Sequence, residues 1–251
     1  NSQTLLSYFI RTARSHYLTV DSEICLSVDE MKSHIQAMGG EVKKQICIKE
    51  FMTAKKSYEV QVMSPLVASL FEATSSTHCV DLGGGAGHLG VVLDLGYKVP
   101  SLAVDCDLIT MEGGKKRDVL IKKQWQSIAK GADSVSSESG NLHRYCHTYV
   151  KNNTNLCQII NEQFGESNEN IKILLTGLHT CGNLGSDSLR LFTKMESMSA
   201  VFNVPCCYHL LTEVCDENPL WNAFDKTCCL DGIVDGFPMS QYLHGNLCIL
   251  S

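Results

Sequence analysis

Several features are scarce or missing in this sequence of 251 residues. No apolar run approaches the roughly 18 residues of a membrane-spanning helix, which excludes such a helix within the chain. Lys and Arg total 21 against 27 Asp and Glu, giving a formal net charge of −6. A globally basic coat for nucleic acid is therefore excluded, although local basic patches are not. No internal repeat is present, and no basic-then-apolar signal segment opens the chain.

The composition is that of a folded protein with free thiols. Hydrophobic residues make up 44% of the chain and charged residues 19%, so a buried core is expected and general disorder is not. The 13 cysteines are too sparse for a small disulfide scaffold, and a chain of this size does not need one. We therefore expect an intracellular, reducing compartment, the cytoplasm or nucleus. Because the first residue is Asn1, we also expect a longer protein upstream.

The first part of the chain has helical periodicity, and we predict a helical extension over residues 1–75. Residues 4–18 place a stripe of apolar side chains on one face. Ser27 with Glu30 forms a capping box that begins a second helix. Ser64-Pro65 has the form of an N-cap and a first helical position, which predicts a third helix ending near Thr74.

From residue 76 to residue 251 we predict one Rossmann-like domain. Short apolar runs alternate there with helical stretches, which is typical of parallel strands joined by right-handed helical crossovers. The predicted strands are His78–Leu82, Ser101–Asp105, Leu142–Val150, Ile171–Leu178 and Ser199–Val204. The predicted helices lie around Leu89–Leu95, Arg117–Ala129, Leu156–Phe164 and Ser188–Met195.

The strongest functional signal is a glycine-rich loop between the first predicted strand and the helix after it. The loop holds Asp81, Gly83, Gly84, Gly85, Gly87 and Gly90. Glycines in this position let the backbone turn tightly and approach a ligand, and the helix start offers free amides to a negative group. A second acid, Asp105, ends the next apolar run and can hold the ribose hydroxyls of a nucleotide-like ligand.

Two cofactors compete for this loop. The spacing Gly85-x-Gly87-x-x-Gly90 fits the dinucleotide fingerprint of a nicotinamide-dependent oxidoreductase. The spacing Asp81-x-Gly83-x-Gly85-x-Gly87 resembles the first motif of class I methyltransferases, which implies S-adenosylmethionine as the cofactor. A glycine turn that serves packing alone is the remaining interpretation. The residues expected at the cofactor, the last three of them beside the adenine, are Asp81, Gly83, Gly85, Gly87, Asp105, Cys106, Asp107 and Thr148.

Two segments rich in His and Cys follow the fourth and fifth predicted strands, at the sheet edge where ligands bind. An imidazole there can act as a general base or hydrogen-bond donor toward a methyl acceptor. The predicted acceptor-site residues are His179, Cys181, Cys207 and His209. Three other interpretations stay open: a tetrahedral metal site made by the same four side chains, inert structural residues, and a cysteine nucleophile at Cys181 or Cys206.

Five segments taken together resemble the methyltransferase-like protein 25 family. They are Lys55-Lys56-x-Tyr58-Glu59-Val60, residues 81–89, residues 177–184, residues 205–209 and residues 236–240. The His-x-Cys-Gly and Cys-Cys-x-His elements are also similar to those of a eukaryotic tRNA ribose 2′-O-methyltransferase. The resemblance implies a class I sheet with strand order 3-2-1-4-5 and S-adenosylmethionine as donor. The chain departs from the family at Tyr58, where we expect His, and we expect the sixth and seventh strands of a class I sheet to be missing.

Positive charge is concentrated in two patches. The first precedes the glycine loop and includes Lys43, Lys44, Lys55 and Lys56, and the second lies on the predicted helix at residues 115–123. Concentrated positive charge can bind the phosphates of a nucleic acid, so the four lysines of the first patch are predicted RNA contacts. Solvated helix faces without a partner are the alternative interpretation.

The function that the sequence predicts is an S-adenosylmethionine-dependent methyltransferase acting on RNA or protein. Its main task would be to orient the acceptor and the already activated methyl group. A non-catalytic Rossmann-like module that binds RNA or a protein partner is the first alternative. A nicotinamide-dependent oxidoreductase is the second.

Overall fold

Five parallel strands form a single sheet in the computed structural model, which describes residues 2–15, 25–129, 141–165 and 170–211. The strands are β1 (His78–Leu82), β2 (Ser101–Asp105), β3 (His143–His147), β4 (Ile173–Leu178) and β5 (Met198–Val204). Their order is β3-β2-β1-β4-β5, and every pairing is parallel. The predicted Rossmann-like α/β sheet and its strand order are confirmed.

Helices connect the strands and precede the sheet. They are α1 (Ser2–Ser15), α2 (Val28–Ala37), α3 (Ala54–Ala73), α4 (His88–Tyr97), α5 (Leu108–Ile128), α6 (Leu156–Phe164) and α7 (Asn183–Lys194). A short 3₁₀ turn, Tyr208–Leu210, follows β5. Within the described ranges, none of the helices is both long and apolar enough to span a bilayer.

Helices cover both faces of the sheet. Adjacent residues of a strand point to opposite faces. Val80 of β1 lies in a cluster with Leu156 of α6 and Leu191 of α7, whereas Cys79 lies in a second cluster with Met63 of α3. The central strands are therefore covered on both faces: β1 is buried at every position, and β4 at every position but its last.

Helix α3 begins at Ala54, so the prediction of a helix start at Ser64-Pro65 is wrong. Thr53 is the N-cap, and its side chain accepts a hydrogen bond from the Lys56 backbone N–H. Pro65 lies inside the helix, where a proline costs about 3 kcal/mol in a free helix. Most of residues 60–69 are buried against the sheet and its neighbours, and this packing outweighs the local preference.

Two other helices begin earlier than predicted. Helix α5 starts at Leu108 instead of Arg117, because the Asp107 carboxylate accepts hydrogen bonds from the N–H groups of Ile109 and Thr110 at 3.0 and 3.1 Å. Helix α7 starts at Asn183 instead of Ser188.

The first two predicted helices are present as α1 and α2, and the capping box of Ser27 and Glu30 is confirmed at the start of α2. Helix α1 carries its predicted apolar stripe, yet Leu5, Leu6 and Phe9 are 59–72% exposed. The division between residues 75 and 76 stays a prediction, and α3 belongs to the layer that covers the sheet. The predicted absence of a sixth and seventh strand concerns residues beyond 211, which lie outside the described part of the chain.

Candidate active site

The predicted functional residues collect at one edge of the sheet. The carboxyl ends of parallel strands all lie at the same edge. The glycine loop follows β1, Asp105 ends β2 and Thr148 follows β3, while His179 follows β4 and Cys206 follows β5. The topology therefore brings together segments that are more than 100 residues apart in sequence.

The glycine loop has a backbone that side chains disfavour. The φ angles of Gly83, Gly85 and Gly87 are +67°, +50° and +68°, in the left-handed region that glycine adopts at little cost. Gly87 is also the N-cap of α4. The unpaired amides of the first helical turn therefore lie beside the loop, where they favour a negative ligand group.

Close packing of neighbouring side chains explains why residues 87 and 90 are glycines, but it does not explain Gly85. A Cβ at Gly87 would overlap the Tyr145 hydroxyl, and a Cβ at Gly90 would overlap the His143 ring. At Gly85 the nearest atoms to an added Cβ would be Thr110 Cγ2 at 3.6 Å and Asp105 Oδ2 at 3.7 Å, which are ordinary contacts. The need for glycine at position 85 therefore comes from its backbone conformation, a φ of +50°, and not from a clash with packed side chains.

Asp105 is bonded directly to the glycine loop. Its Oδ2 accepts a hydrogen bond from the Gly85 N–H at 2.8 Å, and its Oδ1 accepts one from the Asp107 N–H at 2.8 Å. The Thr148 N–H donates to the Asp105 carbonyl oxygen at 2.9 Å. Four of the predicted cofactor residues, from three different segments, are therefore contiguous.

The two residues after Asp105 have different surroundings. The Asp107 side chain caps α5 and also accepts a hydrogen bond from the Thr110 hydroxyl, so hydrogen bonding to Thr110 lowers its pKa. Cys106 is exposed, and its carbonyl oxygen lies 3.0 Å from His147 Nε2. A place beside an adenine stays a prediction for both residues.

Asp81 is a buried acid directly below the loop. It is 2% exposed, and its Oδ1 has no hydrogen-bond partner among the described residues. Burial raises the pKa of Asp81 to about 7, although the ammonium of Lys56 acts in the opposite direction. Near neutral pH the Asp81 carboxyl is therefore only partly ionised.

A polar network holds the loop from the β3 side. The Ala86 carbonyl oxygen accepts a hydrogen bond from the Arg117 guanidinium and lies 3.0 Å from the Tyr145 hydroxyl. That hydroxyl also lies 2.7 Å from Asp118 Oδ2. Gly114 lets α5 approach, because a Cβ there would come 2.5 Å from the same carbonyl oxygen. These contacts tie the glycine loop to β3 and α5.

His179 faces an acid that the sequence reasoning did not single out. Its Nε2 lies 2.9 Å from Oε2 of Glu59 on α3. Burial raises the pKa of Glu59, but His179 and the ammonium groups of Lys56 and Lys55 outweigh this effect and leave the pKa lowered. His179 also has a φ of +76°, a backbone conformation uncommon for residues with a side chain and often found at functional sites.

The cysteines form a cluster without the histidines. Cys181 Sγ lies 3.1 Å from Cys206 Sγ, which lies 3.4 Å from Cys207 Sγ. Among the described residues, the potential ligand atoms within 4.8 Å of one another are these three sulfurs, and neither His179 nor His209 belongs to the set. The four-residue metal site considered from sequence is therefore not assembled. The neighbouring thiol of Cys206 raises the pKa of Cys181 to about 12.

A cavity of about 520 Å³ lies beside the cysteines. The start of α7 lines it with Gly185, Ser186 and Leu189, and the β5 side lines it with Cys206 and Cys207. The cavity is therefore at the edge of the sheet where an acceptor is expected.

The strand order, the glycine loop and the Asp105 contact define a Rossmann-like domain with these residues at the switch point of its sheet. A sequence profile described as "Methyltransferase domain" matches residues 55–214. The chain belongs to this methyltransferase-domain family, and the family predicted from the five segments is supported.

Two curated relatives extend the match beyond the domain. The chain is similar to "Probable methyltransferase-like protein 25" of Homo sapiens, with 24% identity over 81% of this chain and 50% of the relative. The protein with the same description from Mus musculus is 24% identical over 96% of this chain and 57% of the relative. The chain thus spans about half the length of the curated relatives it matches. The likeness to a tRNA ribose 2′-O-methyltransferase stays a prediction.

The surroundings of two residues of this site were not anticipated from the sequence. Glu59 lay inside a quoted motif, and the structure places it on α3 within ion-pair distance of Lys56 and Lys55, three and four residues before it. Cys206 was considered as a nucleophile, but not together with Cys181 and Cys207. The register of β4 with β5 sets residues 178 and 204 side by side and so brings the Cys181 segment next to Cys206 and Cys207.

Proposed function

We propose that this domain is an S-adenosylmethionine-dependent methyltransferase. The observation that carries the proposal is the hydrogen bond between Gly85 and Asp105, which places a carboxylate against the glycine loop at the carboxyl edge of the sheet. When bound, S-adenosylmethionine supplies an activated methyl group on its sulfonium. The residues of the chain then have to bind, orient and shield the reactants.

The residues present fit such a donor. An ionised carboxylate offers about four acceptor sites, and two backbone N–H groups occupy two of those on Asp105. Acceptor capacity therefore remains for two ribose hydroxyls. The orphaned Oδ1 of Asp81 offers a further acceptor below the loop. Gly85 provides a surface that a side chain would obstruct.

His179 is assigned as the general base. Glu59 Oε2 lies at hydrogen-bond distance from Nε2, so an Nε2–H donated to this carboxylate leaves Nδ1 as a free acceptor. In this role Nδ1 takes the proton of an acceptor hydroxyl or amine during transfer, and Glu59 stabilises the imidazolium that forms. Glu59 is a positioning residue in this scheme, because it acts through His179.

RNA is the acceptor class that we propose, with contacts from Lys43, Lys44, Lys55 and Lys56. These lysines differ in their surroundings. Lys43 is paired with Glu72 at 2.6 Å and with Glu41 at 3.2 Å. The Lys55 side chain is 80% exposed, so it is well placed to meet a phosphate. Lys56 Nζ lies 3.5 Å from Glu59 Oε2, which puts its charge at the edge of the site.

The test is methyl transfer from labelled donor to fractionated cellular RNA and protein. We expect label in the RNA fraction with the unaltered protein and none with His179→Ala. Donor binding by calorimetry accompanied by no transfer to any fraction would instead identify a binding module. Absence of donor binding would overturn the proposal at its first step.

A further inference from the structure

We propose that Cys181, Cys206 and Cys207 bind one zinc ion through three thiolates, with the fourth coordination position facing the neighbouring cavity. The site differs from the four-residue set considered from sequence, because it excludes both histidines and includes Cys206. It does not depend on the proposed methyl transfer.

The cluster is unlike cysteines that serve as core residues. A structural cysteine of this protein, Cys79, is 0% exposed within the sheet, as free cysteines used for packing usually are. In the cluster Cys206 is exposed, and Cys181 and Cys207 are half-buried. Packing therefore does not account for three thiols that converge at the protein surface.

The backbone holds the two cysteine segments together. The Gly182 N–H donates to the Cys207 carbonyl oxygen at 3.3 Å, and the Leu210 N–H donates to the same oxygen at 3.1 Å. Gly182 has a φ of +57°, and a Cβ there would come 2.9 Å from the Leu210 carbonyl oxygen. This close approach needs a glycine, and it brings Cys181 against Cys206 without any contribution from a bound ion.

The spacing of the sulfurs suits zinc. Tetrahedral zinc with Zn–S bonds of about 2.3 Å sets its sulfurs about 3.8 Å apart. Two separations here are 3.1 and 3.4 Å, and all three sulfurs lie within 4.8 Å of one another. Shifts of less than about 1 Å, within the reach of side-chain torsions, give the required triangle.

The donor set selects the ion and predicts an open site. Thiolates favour soft or borderline ions, and carboxylate-preferring magnesium and calcium are poorly matched. Among the described residues no carboxylate or imidazole completes the cluster within 4.8 Å. Three protein ligands plus one exchangeable ligand is the arrangement of a reactive zinc site. Cys206 and Cys207 line the cavity, so a small anion or thiol in it can reach the ion.

A disulfide would use only two of the three sulfurs. Cys181 and Cys206 are the closest pair, and their oxidation would leave Cys207 as a lone thiol. Convergence of three sulfurs therefore favours a metal over a disulfide, and the experiment below separates the two.

The experiment measures zinc in the protein purified under reducing conditions and dialysed against buffered micromolar zinc. Elemental analysis is expected to give one more zinc per chain for the unaltered protein than for Cys206→Ser. The matched control is Cys25→Ser, an exposed cysteine outside the cluster, and it should retain all of the zinc. Cobalt substitution should give thiolate-to-metal charge-transfer absorption that Cys206→Ser weakens.

Equal zinc content in the unaltered protein and in Cys206→Ser would overturn the proposal, as would a Cys181–Cys206 disulfide found by mass spectrometry in the reduced preparation. Circular dichroism and thermal unfolding of each variant identify any that fail to fold, and Cys181→Ser then serves as the second variant. Zinc binding without methyl transfer would leave this site standing while the proposed function fails, so the two failures are distinguishable.

Discussion

The Gly85 N–H donates a hydrogen bond to Asp105 Oδ2 over 2.8 Å, and this bond joins the loop after β1 to the end of β2. It fixes the carboxylate before a ligand binds. A ligand that uses Asp105 therefore does not have to order the side chain, which reduces the entropy cost of binding.

We expect Asp105→Ala and Gly85→Val each to abolish binding of S-adenosylmethionine in calorimetry. The alanine removes the acceptor for the ribose hydroxyls, and a β-branched side chain at a φ of +50° strains the loop and adds bulk next to the Asp105 carboxylate. Gly165→Val is the matched control, because Gly165 has a φ of +68° with no atom of the described residues within 4 Å of an added Cβ. Unchanged affinity in both test variants would exclude this donor site.

The stability of the protein should fall as pH rises through the titration of Asp81. Its folded pKa of about 7 lies above the ordinary value of 3.8, so the folded state holds a proton that the unfolded state loses first. The contribution of this proton to the free energy of unfolding is complete below about pH 4 and is lost by pH 7 to 8. Asp81→Asn removes this dependence. In urea unfolding, the free energy of unfolding of Asp81→Asn should rise relative to that of the unaltered protein between pH 5 and pH 8, by a few kcal/mol at most. A constant difference over that range would contradict the assignment.

His179→Ala should lower kcat by about 10²–10⁴-fold, the usual contribution of a general base, with little change in donor affinity. Glu59→Gln keeps a hydrogen-bonding group at 2.9 Å from Nε2 but removes its charge. It should lower kcat less than His179→Ala does and leave KM for the donor unchanged. Steady-state kinetics, in which label from the donor is followed into the acceptor, give kcat and the KM for the donor. A rise in KM with unchanged kcat would show that the pair only shapes the pocket.

Gly90→Ala should destabilise the protein by about 1–3 kcal/mol, the range for overpacking. Its Cβ would overlap the buried His143 ring, and His143 is fixed by Ser101, whose hydroxyl lies 2.9 Å from Nδ1. Gly113→Ala is the control, since that helical position has open space around it and alanine favours the helix by roughly 0.8–1 kcal/mol. Chemical denaturation of the two variants should therefore give shifts of opposite sign.

Reversal of the charge at Lys43, Lys44, Lys55 and Lys56 should weaken RNA binding and reduce its dependence on salt. The control reverses Lys115, Lys116 and Lys123 on α5, which carry three positive charges against the four of the test set, so losses are compared per charge. Fluorescence anisotropy with a short RNA at two salt concentrations measures both effects. Equal losses in the two sets would indicate non-specific attraction, and no loss in the first set would remove RNA from the proposal.

The sequence predicted the parts of the fold that are set by burial. β1 and β2 were placed at their observed limits, because both are short apolar runs covered on each face. The start of α3 was wrong because tertiary packing around residues 60–69 keeps Pro65 inside a helix. The start of α5 was missed although Asp107 is a standard N-cap, since Gly113 and Gly114, which have low helix propensity, separate the first turn from residue 117.

The candidate site was predicted in part. The link of Asp105 to the glycine loop followed from the spacing typical of this fold. The pairing of His179 with Glu59 joins segments 120 residues apart and depends on how α3 lies over the sheet. The grouping of Cys206 with Cys181 depends on strand register, which a single sequence does not reveal.

The fit of His143 and Tyr145 beneath Gly87 and Gly90 has a consequence for protein engineering. The loop and the outermost strand β3 interlock, so neither is an independent module. A chimaera that grafts only the glycine segment from a related enzyme would leave mismatched partners below it. Transplanting β3 together with the loop is the design that respects this coupling.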